Sequence, residues 1–514
     1  MASILIYNLE MSQIQVKLAN FFPRPLNLIY AAARTCYSRH GIVDPQNVDE
    51  DKRDSLVEFL KRAGHLTTFQ HVNLQYAISG VSRYLIWSLL HSHPFYNSDQ
   101  VSQRYVEVKP GSYYLPEIGG KPLEIYKRAV EFQSETYRKL TEMLIPPVES
   151  ELLRRFRYMA RRPELLKRES KKRAMEVARY VLPIGTLAYL YHTINLVTLL
   201  RYWKLRKEVH PRKEAEEVVN QMVSEFLRAV PEAEFLFDEE SDGYRETTVF
   251  PEEGDRMRFV REFDSSLEGR ASKLIGYKEN NEKLLADSVR EVLGLSRETL
   301  KDEEAIALAM DPARNGELAH MFNLTYHSQV QRAMAHVSYT FRKKLSHTAD
   351  SQEQRHRTAH GSRPCLLAHF PEEPDYITPT LIKTSPEIEA FYRESLERLW
   401  DMIGAFERAG GDREYSLYLL PNALSIRYTE SIDLLGLRHK MAMRLCYNAQ
   451  EEIWRATLDE KEQIEAVNPT IGKYLLPPCS LRYRAGLRPY CPEGKHYCGV
   501  KVWLEGLKRS DRVI

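Results

Sequence analysis

The chain has 514 residues, 43% of them hydrophobic and 10% aromatic, with 23 Gly and 26 Pro. That length favours two to four domains, and that composition excludes collagen-like, low-complexity and wholly disordered proteins. Lys and Arg total 73 against 71 Asp and Glu, so a net charge of +2 supplies no global field for a polyanion or an anionic membrane, and any anion site must be local.

From the N-terminus onward, MASILIYNLEMSQIQ lacks the basic region, apolar run and cleavage pattern of an export signal, and the chain is expected to be cytoplasmic. The longest apolar stretches, such as LYHTINLVTLL near Leu190, are broken well short of the ~20 residues needed to cross a bilayer. Apolar residues three or four apart predict helices around 52–63, 123–145, 165–229, 384–408 and 431–457. Alternation predicts strands over 73–81 and from His320. The fold class is therefore α+β, helix-rich. Between Phe235 and Asp264 the text is acidic, rich in Gly and Pro and without apolar periodicity, which predicts a linker near the middle of the chain.

The halves on either side repeat one another. His71 stands 12 residues before Arg83, as His320 does before Arg332; SDQVSQRY, ending at Tyr105, meets ADSQEQRH, ending at His356. YVLPIGT around Pro183 and YLLPNAL around Pro421 each precede an Arg by 23 residues, Arg206 and Arg444. The offsets of 249, 251 and 238 residues keep the same order, as an ancient duplication would.

Within VSQRYVEV, Gln100, Ser102 and Arg104 alternate an amide, a hydroxyl and a guanidinium. This suits a phosphate: the planar fork of Arg meets two oxygens of a dianion, and Ser and backbone N–H groups complete the shell. A polar loop with an ion-paired Arg has the same spacing.

The run GVSRYLIWSLLHSHPFYNSDQVSQRYV resembles the signature region of the flavin-dependent thymidylate synthases, whose motif is Arg-His-Arg, seven residues, Ser, then closely Arg-Tyr. AARTCYS at 32–38, FQHVNLQYAISGVSR, RYVLPIGT and MRLCYNAQEEIW at 443–454 are similar to further elements of that family. The resemblance implies two tandem copies of the family's fold. It also implies methylene transfer from methylenetetrahydrofolate to dUMP, with hydride from FADH2 and NADPH as the reductant, giving dTMP without a protein nucleophile. By the same resemblance Gln100, Ser102, Arg104 and Arg179 would bind the nucleotide and Arg206 and Arg444 would act on the pyrimidine. His71, His93 and Asn195 would contact FAD. The family's tetrameric habit implies a homodimer of the fused chain. The alternative is a catalytically inactive paralogue that keeps the scaffold to bind nucleotide or flavin. A nucleic-acid-binding protein using the RHR and KLRK patches is disfavoured by the near-zero charge.

Departures from the family pattern stand beside these matches. Aligned on Ser102, the triplet is Ser92-His93-Pro94; in the second half the alignment above puts Lys343-Lys344-Leu345 there, with Glu353 for the Ser and Arg355 retained. Leu417 and Asp433 replace an Arg and an Asn. The expected domains are 1–240, a linker at 241–265, a more degenerate copy at 266–460 and a Cys-containing extension at 461–514. Six cysteines are too few for a disulfide scaffold. In the extension, Cys479, Cys491, His496 and Cys498 form a soft donor set for a structural zinc, although C-x11-C-x4-H-x-C is not a standard spacing and buried thiols with a surface His fit equally. The His- and Arg-rich segment 346–364, with His347, His356 and His360, reads as a basic binding loop.

Overall fold

The computed structural model describes residues 13–238, 251–320, 322–370, 372–509 and 512–514. Two four-stranded antiparallel sheets organise it. The first contains β1 (Gln15–Phe21), β2 (Asn73–Ser82), β3 (Asn97–Gln100) and β4 (Leu187–Asn195), in the order β1-β2-β4-β3. The second contains β5 (Ser272–Tyr277), β6 (Ser338–Ser346), β7 (His360–Ser362) and β8 (Ser425–Asp433), in the order β5-β6-β8-β7. Identical strand order in two sheets of mixed helix and strand is the doubled α+β fold expected from the sequence.

The compact units do not follow the contiguous halves. One gathers the described parts of Met1–Glu131 and Pro183–Val249 with Ala405–Leu420; the other gathers Phe132–Leu182, Phe250–Gly404 and Pro421–Ile514. The helix Gly120–Arg155 starts in the first unit and ends in the second, and the helix Pro386–Arg408 runs the opposite way. Of the expected linker, 241–250 lies outside the described residues, and Glu253–Ser266 is a helix.

In the first unit, apolar residues of β2 and β4 (Leu74, Tyr76, Ile78, Ile194) pack on the helix Arg212–Ala229 through Val218, Met222 and Phe226. In the second, Tyr339, Phe341 and Ile432 pack against the helices Asn281–Leu293, Leu434–Arg444 and Glu451–Val467, with Trp454 fully buried. Each core is a sheet face covered by helices; β6 buries alternate residues, whereas β2 is buried without interruption from Tyr76 to Ser82.

Three sequence expectations are corrected. The helical pattern over 165–229 is broken by β4, whose residues Leu187–Asn195 continue the helix-like apolar spacing but pair on both sides, with β2 and β3. The segment 431–457 opens on the end of β8 and continues as two helices. Among its described residues the segment from His320 forms no strand; Leu324–His327 is a short 3-10 turn, reached through Asn323 at φ 49.

Candidate functional site

The sheets fix how the two copies correspond. Ser82 ends β2 and caps the helix Arg83–Ser92, its hydroxyl accepting from Leu85 N at 3.0 Å. Ser346 ends β6 and caps the helix His347–Glu353, accepting from Ala349 N at 3.1 Å. Asn73 faces Asn195 across the first sheet and Ser338 faces Asp433 across the second; Asn195 and Asp433 each cap the following helix. The carbonyl of Val72 accepts from Leu196 N, and that of Val337 from Leu434 N. The counterpart of His71 is therefore His336, not His320. The counterpart of Arg83 is His347, not Arg332.

The same register moves the signature triplet. Lys343, Lys344 and Leu345 lie inside β6, so the expected alignment of the triplet with them is overturned. Asn97 in β3 faces Thr193, and His360 in β7 faces Ser431, its equivalent. Counting back from these strands, Ser92-His93-Pro94 corresponds to Arg355-His356-Arg357. Counting forward, Ser102 corresponds to Cys365 and Arg104 to Leu367. The first copy keeps the Ser-x-Arg end of the motif and the second keeps Arg-His-Arg. The RHR run and its seven-residue spacing to Cys365 carry this signal in the sequence, but SDQVSQRY and ADSQEQRH share more residue types and mask it.

In the first unit, Gln100 closes β3, and the chain turns at once through Ser102, whose carbonyl accepts from Tyr105 N at 3.2 Å and Val106 N at 3.0 Å. The Ser102 hydroxyl accepts from Arg104 N at 3.3 Å. Arg83 braces this turn, donating to Val101 O at 2.6 Å and Gln100 Oε1 at 3.4 Å. The guanidinium of Arg206 lies 3.5 Å over the Trp203 ring, at the end of the helix Leu196–Leu205. Asn195 accepts from Thr198 N at 3.0 Å as a helix cap, and His71 is exposed at the end of a 3-10 turn. His93 is positioned from within: its Nε2 lies 3.0 Å from the Tyr202 hydroxyl, which lies 3.1 Å from His192 Nε2. Burial, then Arg201, lowers the His93 imidazole to about 4; burial, then His93, lowers His192 to about 3. Both rings are neutral near pH 7.

Arg179 and Arg444 lie in the second unit. Arg179, buried, donates to Gln450 Oε1 at 2.7 Å, and its carbonyl accepts from Asn422 Nδ2 at 3.0 Å. Gln352 donates to the same Gln450 oxygen, and Arg444 donates to the Gln352 carbonyl. Two arginines are thus held on one amide network, Arg444–Gln352–Gln450–Arg179. Neither glutamine was singled out from the sequence, although Gln450 belongs to the quoted MRLCYNAQEEIW segment. His356 is buried beside them; burial first and Arg444 second hold its imidazole well below the usual range, with Glu353 opposing.

Beneath this network the second unit differs from the first. Where the first has Ile78, His192 and Tyr202, the second has Lys343, Glu430 and Lys440. Lys343 Nζ lies 2.9 Å from Glu460, 3.4 Å from Glu430 and 3.8 Å from Glu353; Lys440 lies 3.3 Å from Glu353 and 3.5 Å from Glu460. Burial alone would raise Glu353 and Glu430, but the two ammonium groups pull both below the usual carboxylate range. His320 instead borders a separate cavity of about 340 Å³ in this unit, lined also by the cations Arg438 and Arg482, by His439 and by Glu493. Burial lowers the Arg438 guanidinium to about 10.

Of the extension residues, Cys479, Cys491 and Cys498 border one small pocket together with Cys446, whereas His496 is exposed and does not border it.

A family model described as thymidylate synthase complementing protein matches residues 17–232 and again 273–470. The chain belongs to this family and carries its fold twice. Among curated relatives, the flavin-dependent thymidylate synthase of Clostridium tetani is 28% identical over 222 residues, 42% of this chain and 84% of the relative. That of Nitratidesulfovibrio vulgaris is 26% identical over 229 residues, with the same two shares. A solved structure of the UMP/dUMP methylase PolB from Streptomyces cacaoi bound with 5-Br dUMP is similar at 22% identity and TM-score 0.33, over 44% of this chain and 95% of that one. Among the described residues no helix is long and apolar enough to cross a membrane.

Proposed function

We propose that the protein is a flavin-dependent, thymidylate synthase-like enzyme that methylates dUMP to dTMP using methylenetetrahydrofolate. The observation that carries this reading is the doubled family match joined to the two retained motif ends. Ser102 and Arg104 offer the hydroxyl and guanidinium that a nucleotide phosphate needs, with Gln100 beside them. Arg355, His356 and Arg357 offer the donor chemistry that suits the phosphates of FAD. Arg444 and Arg206 would place a guanidinium near the pyrimidine oxygens, where negative charge develops. Arg179, buried on Gln450, would hold a further anionic group of the nucleotide.

The donor set fits a flavin. Bound there, FAD would supply hydride chemistry that no side chain of this protein provides, with NADPH as the reductant. This chain's own residues bind, orient and neutralise charge. Asn195 and His93 are already committed to a helix cap and to Tyr202, so their expected flavin contacts are weaker candidates than Arg355 and Arg357. A homodimer working in the cytoplasm belongs to the same reading, with folate and dUMP as small-molecule partners and neither membrane nor nucleic acid among them.

A non-catalytic paralogue is the second reading, favoured by one observation: neither copy holds the whole motif, since Pro94 and Ser92 replace its arginines in one and Cys365 its serine in the other. Absorbance of protein purified without added flavin, FAD titration with and without dUMP, and an assay of dTMP formation separate the two. Flavin bands, FAD binding tightened by dUMP and dTMP production support the enzyme. Ligand binding without dTMP supports the paralogue.

A further inference from the structure

Four of the six cysteines, scattered over more than fifty residues of sequence, converge on a single pocket. Cys446 lies just past the helix Leu434–Arg444, Cys479 opens the helix Pro478–Arg484, and Cys491 and Cys498 flank the short turn Gly494–His496. All four line a cavity of about 20 Å³ walled otherwise by Leu445, Val500, Val502 and Trp503. All are free thiols, and the exposed surface of this cavity is entirely apolar. Such a volume holds about one water-sized body.

Convergence of this kind asks for an explanation. Thiols bring no advantage over Val or Ala as packing groups that would draw four of them from three loops to one point. A tetrahedral metal does, because four thiolates at Zn–S ≈ 2.3 Å close its shell and cross-link their segments. Among the described residues no three His, Cys, Asp or Glu side chains already stand close enough to hold a metal, so binding would require the four sulfurs to close on the ion from the pocket wall. Without it, burial pushes Cys446 up to about 12 and Cys479 up to about 11, leaving neutral thiols in an apolar pocket.

We propose that Cys446, Cys479, Cys491 and Cys498 bind one structural zinc ion. The fourth ligand is Cys446 rather than the His496 expected from sequence, which is exposed and contributes instead its carbonyl, accepting from Asn448 Nδ2 at 2.8 Å. On binding, four S–H bonds give four Zn–S bonds, four protons pass to solvent, and no sulfur changes oxidation state. With four thiolates the shell is full and no water is activated. The consequence is mechanical. Cys446 is two residues beyond Arg444, so the metal pins the end of the helix carrying that arginine to the extension. It also holds Pro478 and Pro492, which border both this pocket and the Arg438 cavity.

The test is elemental analysis and zinc-edge X-ray absorption on the full chain purified under reducing conditions. Expected are about one zinc per chain and a first shell of four sulfurs. A shell of three sulfurs and one nitrogen would overturn the assignment of Cys446. Iron, or a metal-free protein whose four thiols all titrate with a thiol reagent, would overturn the site. Among variants, Cys446→Ser should lose the metal while His496→Ala and Cys36→Ser keep it. Should Cys446→Ser fail to fold, the wild-type absorption shell decides alone.

Discussion

Glu214 and Glu452 hold the same place in two different units. Glu214 accepts from Ser82 N at 2.5 Å and Ser82 Oγ at 2.6 Å, and from the Tyr418 hydroxyl at 2.9 Å. Glu452 accepts from Ser346 N and Oγ, both at 2.6 Å, and from the Tyr180 hydroxyl at 2.5 Å. Each carboxyl holds the cap of the helix leading to the signature segment, and each takes its tyrosine from the other sequence copy.

That relationship has a pH signature. Burial, opposed by the hydrogen bonds from Ser82 and Tyr418, raises Glu214 to about 7 from its usual 4.5. Because the folded pKa lies above the unfolded one, the folded state binds the extra proton between those values, and the contribution of Glu214 to stability falls as pH rises from about 4.5 to about 7, by about 3 kcal/mol. Chemical denaturation of wild type and Glu214→Gln across this range checks it: the variant should lose that part of the slope.

The exchange of segments predicts that the copies cannot be separated. Ile184 N donates to Leu420 O at 2.8 Å and Gly185 N to Tyr418 O at 2.9 Å, while Asn422 N donates to Leu182 O at 2.7 Å in the other unit. A Cβ on Gly185 would stand 2.8 Å from the Tyr418 carbonyl oxygen, so the contact is too close for any other residue. Residues 1–240 alone would leave Glu214 without its tyrosine and buried amides without acceptors. Expressed alone, that fragment should give no cooperative unfolding transition; co-expression with 241–514 should restore one.

The divided motif predicts divided ligand losses. Arg355→Ala and Arg357→Ala should each weaken FAD binding about tenfold, the worth of one charge-assisted hydrogen bond, with little change for dUMP. Ser102→Ala and Arg104→Ala should do the reverse. Fluorescence quenching of FAD and calorimetry of dUMP on the same four variants read both. Equal loss of both ligands in all four would refute the division.

The lysine cluster carries the largest single stability prediction. Lys343 and Lys440 are buried with Glu353, Glu430 and Glu460, and Arg363 adds a 2.9 Å pair to Asp350. Removing one cation leaves buried carboxylates uncompensated, which costs about 3–5 kcal/mol. Lys343→Met should lower stability to urea by that amount, whereas Arg138→Ala, whose 3.9 Å pair with Glu142 is exposed, should change it by less than about 1 kcal/mol.

Several of these features were legible in the sequence and several were not, for physical reasons. The duplication was visible because Pro183 and Pro421, with Arg206 and Arg444, keep one offset where no insertion intervenes. Upstream the offset is larger, 265 at Asn73 and Ser338 and 263 at Asn97 and His360 against 238 at Pro183 and Pro421, because the first copy carries 25 more residues between Asn97 and Pro183 than the second between His360 and Pro421, and His320 fell by chance at the spacing that belongs to His336. Strand β4 was hidden by its length and by its continuity with flanking helical patterns. The exchange of Tyr180 and Tyr418 leaves no trace in composition or periodicity, since it concerns only which sheet a segment joins. Arg179 could be named but not placed for that reason.

The neutral pair His93 and His192 sets the acid limit of the first unit. Both face the Tyr202 hydroxyl, and the charge of Arg201, whose guanidinium lies 5.5 Å from the Phe95 ring, adds to burial in lowering His93. Their folded pKa values, about 4 and about 3, lie below the unfolded 6.5, so the unfolded chain takes up protons first as pH falls, and stability is lost progressively below about 6.5. His192→Gln keeps a hydrogen-bonding group toward Tyr202 but does not titrate. Its unfolding free energy should fall less between pH 6.5 and pH 4.5 than that of wild type, and an unchanged slope would place the acid sensitivity elsewhere.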